Sequence, residues 1–69
     1  MRKLLVTCVT SSALGIVKAG TQFEAVECET GHYFDCVIDG LEFVGYAAGT
    51  RTFHIPCVYA TFSYKEITE

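Results

Sequence analysis

Six side chains in this 69-residue chain are of types that bind metals or attack electrophiles: Cys8, Cys28, Cys36 and Cys57, with His32 and His54. An even number of cysteines permits two disulfides, in three connectivities. Cys28-x3-His32 and His54-x2-Cys57 also make a Cys2His2 set, the donors that hold Zn2+ tetrahedrally. Strong zinc sequences use C-x2-C knuckles, and neither pair has that form. A cysteine beside a histidine, with Asp35 as orienter, would be a minimal nucleophilic constellation. Nothing in the spacing brings those residues together. Each cysteine sits instead in an apolar run, where a free thiol packs as a small hydrophobe. The reading is reduced core thiols, no cofactor and no enzyme. A zinc-stabilised domain built on Cys28, His32, His54 and Cys57 is the alternative. The glycines are dispersed, so there is no phosphate-cradling loop.

The second group with binding chemistry is aromatic. Phe23, Phe34, Phe43 and Phe62 fit core positions by alternation. That leaves Tyr33, Tyr46, Phe53, Tyr59 and Tyr64 as more rings than one small core needs. Surplus aromatic rings point to a contact surface, since Tyr and Arg are favoured at protein interfaces. The expected surface comprises Tyr46, Arg51, Phe53, His54 and Tyr59, facing a protein partner or a second copy in a homodimer. Stacking of single-stranded nucleic acid on the same rings is a further alternative. Formal charge opposes it: 5 − 8 = −3, with no basic cluster beyond Arg2-Lys3, whereas nucleic-acid binders draw affinity from basic excess.

These side chains must be positioned by a small fold. Sixty-nine residues make one domain, near the lower limit for folding unaided. A 51% hydrophobic content makes a dense core feasible, and 19% charged residues is too few for a disordered chain. Arg2-Lys3 followed by Leu4-Leu5-Val6 has the start of a secretion signal, but Thr7, Thr10, Ser11 and Ser12 break the apolar stretch. No run approaches the ~20 apolar residues of a membrane span. The expected location is the cytoplasm.

Period-2 patterning and turn signals divide the chain into short strands. Strands are expected over 2–9, 21–29, 32–38, 41–47 and 62–67, with 52–57 extended and limited by Pro56. Lys18-Ala19-Gly20 and Thr30-Gly31 read as turns, and Asp39-Gly40 as a two-residue hairpin. In 21–29 the apolar phase slips at Ala25-Val26, which predicts a bulge. Residues 58–61 read as a 3-10 turn. No segment carries a helical period. About five strands in so short a chain favour an all-β closed barrel, which leaves no exposed sheet edge.

The succession of Lys18-Ala19-Gly20, the strand TQFEAVE, hairpins at Gly31 and Asp39-Gly40, a late turn with Tyr59 and a strand from Phe62 resembles the SH3-like small barrels. These include short ones encoded by bacteriophages. The resemblance covers residues 16–67. It implies a cytoplasmic protein that binds and inhibits a host protein. The acidic loop and Trp of eukaryotic SH3 domains are absent, so polyproline binding is not implied, and the basic loop of KOW-type RNA binders is absent too.

Overall fold

The computed structural model describes residues 2–10, 17–56, 58 and 60–67. Six strands follow one another: β1 (Lys3–Thr10), β2 (Gln22–Glu27), β3 (Phe34–Ile38), β4 (Leu41–Ala47), β5 (Thr52–His54) and β6 (Thr61–Glu66). Each pairs antiparallel with the next, and β6 returns to β1 to close the barrel. The small all-β barrel expected from the sequence is therefore present, with six strands rather than five. Among the described residues no helix is long and apolar enough to cross a membrane.

Alternation explains which residues turn inward. Leu4, Val6 and Cys8 of β1, Phe23 and Ala25 of β2, and Phe34, Cys36 and Ile38 of β3 are buried. Phe53 and Phe62 complete the core with Val17, Ile55 and Val58 from connecting segments. Ring edges meet ring faces, at 5.9 Å for Phe23–Phe62 and 6.0 Å for Phe34–Phe53, the arrangement that the ring quadrupoles favour.

Turn chemistry sets the register of the central hairpin. Asp39 and Gly40 both have positive φ, 52° and 79°, as a type I′ turn requires. Ile38 then faces Leu41 and Cys36 faces Phe43. Gly20, at φ 92°, closes the Lys18–Thr21 turn, in which the Thr21 N–H donates to the Lys18 carbonyl at 3.1 Å.

Two expectations are corrected. β2 keeps an unbroken register with both neighbours, so Ala25-Val26 is no bulge. The irregularity lies in β1, where Cys8 pairs with Phe62 but Thr10 with Thr61, leaving Val9 as the extra residue. Thr61 already belongs to β6. The late turn begins earlier than 58–61, with the Val58 N–H donating to the Ile55 carbonyl at 3.0 Å. Tyr59 lies outside the described residues.

Candidate functional site

The expected contact surface is only partly brought together. Tyr46 and His54 do meet, as a cross-strand pair of β4 and β5 with ring centroids 5.2 Å apart. Both are exposed. Phe53 is not on that surface: it is 2% exposed and belongs to the core. One residue of alternation separates it from His54, so if one faces out the other faces in. Arg51 sits in the β4–β5 turn at φ 58°, and lines a separate groove with Thr7, Ser63 and Tyr64. Tyr59 lies outside the described residues. Tyr64, counted among the surplus rings, is half-buried against Phe53 at 6.4 Å. The barrel thus absorbs part of the aromatic surplus, leaving Tyr33 and Tyr46 exposed among the described residues.

Exposed apolar side chains gather on the outer face of β2, β3 and β4. Val37 is 57% exposed and Val44 49%, next to Tyr46 at 42%. Register places Val26, Asp35 and Val44 side by side on three strands, and Val37 beside Glu42. Direct cross-strand neighbours of this kind have Cβ atoms about 5 Å apart. Together with Glu24 these side chains line an open groove of about 1000 Å³. The apolar phase slip at Ala25-Val26 acquires a different meaning here. Without a bulge to re-aim the chain, Val26 points outward and adds apolar surface to the groove.

The electrostatics of this face are one-sided. Residues 22–47 contain Glu24, Glu27, Glu29, Asp35, Asp39 and Glu42 but neither Lys nor Arg. Lys3 on β1, across from Val26, closes the face on that side. Arg2 pairs with Glu66 through Nε at 3.0 Å and lies over the Phe34 ring. None of Glu24, Asp35 and Glu42 forms an ion pair with a described residue. The acidic run can be counted from the sequence. Its placement around a groove needs the strand register.

The cysteines divide in two. Cys8, Cys28 and Cys36 are free thiols. Burial pushes Cys8 up, and burial with the nearby Asp35 carboxylate pushes Cys36 up to about 11. Their thiols donate to the carbonyls of Thr10 and Phe43 at 3.2 and 3.5 Å. Cys28 lies in the loop between β2 and β3, with Sγ 3.0 Å from the Thr30 hydroxyl. Partial burial raises its pKa, but hydrogen bonds from the Thr30 hydroxyl and the Tyr33, Thr30 and Gly31 backbone outweigh that and lower it to about 7. Thiolates alkylate and thiols do not. At pH 7, iodoacetamide should therefore modify Cys28 at least about tenfold faster than Cys8 or Cys36, with a half-maximal rate near pH 7. Peptide mapping of a time course reads this directly; equal rates at the three positions would refute it.

Among the described residues no three His, Cys, Asp or Glu side chains gather as a metal site would need. Cys57, the fourth member of the Cys28, His32 and His54 set, lies outside them. Comparison with protein families, curated proteins and solved structures finds no match for this chain.

Proposed function

We propose that this domain is a non-enzymatic protein-binding module whose contact surface is the outer face of the β3–β4 hairpin, ending at the Tyr46–His54 pair. One observation carries the reading: Val37, Val44 and Tyr46 are each at least 42% exposed and lie on one side of two adjacent strands. Isolated exposed apolar residues are ordinary, whereas several gathered on one side of a rigid sheet mark a contact surface. A β-hairpin with a tight turn presents such a set without ordering cost on binding. The mode of action is steric, by occupying the partner's surface. The resemblance to short bacteriophage-encoded barrels adds a cytoplasmic host protein as the partner class.

The nucleic-acid alternative is weakened, because Tyr33 and Tyr46, the tyrosines exposed among the described residues, stand in the segment with no Lys or Arg. Phosphate would meet carboxylates there.

The test is affinity capture on the immobilised domain from the native lysate, comparing the wild type with Val44→Glu and Tyr46→Ala. Both positions are exposed, so the fold tolerates the changes. A partner held by the wild type should bind each variant at least about tenfold more weakly, since a central interface tyrosine contributes about 2 kcal/mol. Undiminished capture by both variants would remove this face from consideration.

A further inference from the structure

We propose that the groove on the outer face of β2–β4 binds a basic segment of the partner, with positively charged side chains alternating with apolar ones. The inference rests on the binding-module reading above and specifies the chemistry of the occupant.

The argument begins with the arrangement of the groove's side chains. Along β4, acidic Glu42 is followed on the same face by apolar Val44 and then Tyr46; along β3, Asp35 is followed by Val37. Across the strands the order also alternates: Val26, Asp35, Val44 in one row and Val37, Glu42 in the next. Apolar and anionic groups therefore interleave in both directions. A purely apolar occupant would cover Asp35 and Glu42 and leave two desolvated carboxylates without partners, at a cost of several kcal/mol. An occupant bearing Lys or Arg at alternate positions satisfies those carboxylates with charge-assisted hydrogen bonds while its apolar side chains cover Val26, Val37 and Val44.

The charge distribution opposes a second copy as the occupant of this groove. A symmetric dimer would set Glu24, Asp35 and Glu42 of one protomer against the same three of the other. Like charges juxtaposed in an interface cost several kcal/mol. Lys3 borders the face beside Val26, but no Lys or Arg on β2, β3 or β4 stands among the three carboxylates to relieve this. The basic residues of the chain, Arg2, Lys3, Lys18, Arg51 and Lys65, all lie outside the segment 22–47. The face therefore carries a negative field over the ~8 Å reach of electrostatics at physiological salt, which also steers a cationic segment toward it.

The probe is a capped heptapeptide of alternating lysine and apolar residues (Lys-Val-Lys-Tyr-Lys-Val-Lys), with its glutamate counterpart as control. Each is titrated into the 15N-labelled full chain and followed by amide chemical shifts. The basic peptide should bind saturably and shift Val26, Asp35, Val37, Glu42, Val44 and Tyr46. Binding should weaken as salt is raised, and the glutamate peptide should leave these residues unmoved. The double variant Asp35→Lys with Glu42→Lys changes two exposed positions, and its own spectrum reports whether the barrel is intact. It should bind the basic peptide at least tenfold more weakly, while Lys18→Glu, at a residue that does not line the groove, binds as the wild type does. Equal shifts from the glutamate peptide would overturn the proposal, as would shifts confined to β1 and β6. Shifts of the same face with protein concentration alone would make it a self-association surface and overturn the proposal too.

Capture from lysate separates this proposal from the broader one. Loss of the captured partner with Val44→Glu but not with the charge-reversed variant, and not in high salt, overturns the basic occupant and leaves the module. Loss with neither overturns both.

Discussion

Replacing Phe53 by alanine should destabilise the domain by about 3–5 kcal/mol, the range for emptying a buried phenylalanine site. Small domains have about 5–15 kcal/mol in all, so the variant should lose a large share of its stability. The reason is where the ring sits. It is almost fully buried, and it meets Phe34 edge-to-face at 6.0 Å and Tyr64 at 6.4 Å. It thus ties the short β5 to β3 and β6. Urea unfolding followed by far-UV circular dichroism gives the value. A loss below about 1 kcal/mol, the range of surface substitutions, would return Phe53 to the contact surface that its sequence neighbours suggest.

Gly45→Ala is the second large effect, and its cause is the same ring. Gly45 is buried on β4 with an ordinary backbone, so conformational freedom is not what it contributes. A Cβ there would stand 2.7 Å from Phe53 Cζ and 2.8 Å from the His54 carbonyl oxygen. The oxygen is held by strand pairing and the ring by the core around it, so neither yields freely. Overpacking of this kind costs about 1–3 kcal/mol. Because the added methyl and the ring compete for one space, the two substitutions should not be additive. Gly45→Ala in a Phe53→Ala background should cost at least about 0.5 kcal/mol less than in the wild type, a coupling of the size that residues in contact display. Full additivity in the double-mutant cycle would mean the clash is relieved elsewhere.

Local chemistry made much of this barrel legible. The Asp39-Gly40 hairpin could be read because two positive-φ positions have few residues that suit them. The strand 41–47 then followed at its observed bounds, and Phe34, Cys36 and Ile38 followed as core by alternation. Features set by distant partners were not legible. The bulge at Val9 exists because β1 must match both β2 and β6, and no window around residue 9 contains β6. Thr52–His54 is too short for a period-2 pattern, so Phe53 was read with its exposed neighbours. The inward turn of that ring depends on Gly45, eight positions earlier, leaving room for it. At the candidate site, Tyr46 and His54 were foreseen from residue type. Alternation also sets Val37 and Val44 opposite the core faces of their strands, but only the strand register joins them with Val26 into one surface.

The closure of β6 on β1 bears on how the chain reaches this state. The central hairpin joins near neighbours, so its turn can form as soon as it is synthesised. The β1–β6 ladder pairs Leu4 with Glu66 and Cys8 with Phe62, and the entropy of joining distant segments must be met before those contacts contribute. Until Thr61–Glu66 has left the ribosome, that ladder cannot exist. During synthesis β1 therefore waits with one side unpaired, and the buried faces of Phe23 and Phe53 lack the strand that covers them. The fold is therefore completed only once β6 is free to pair with β1.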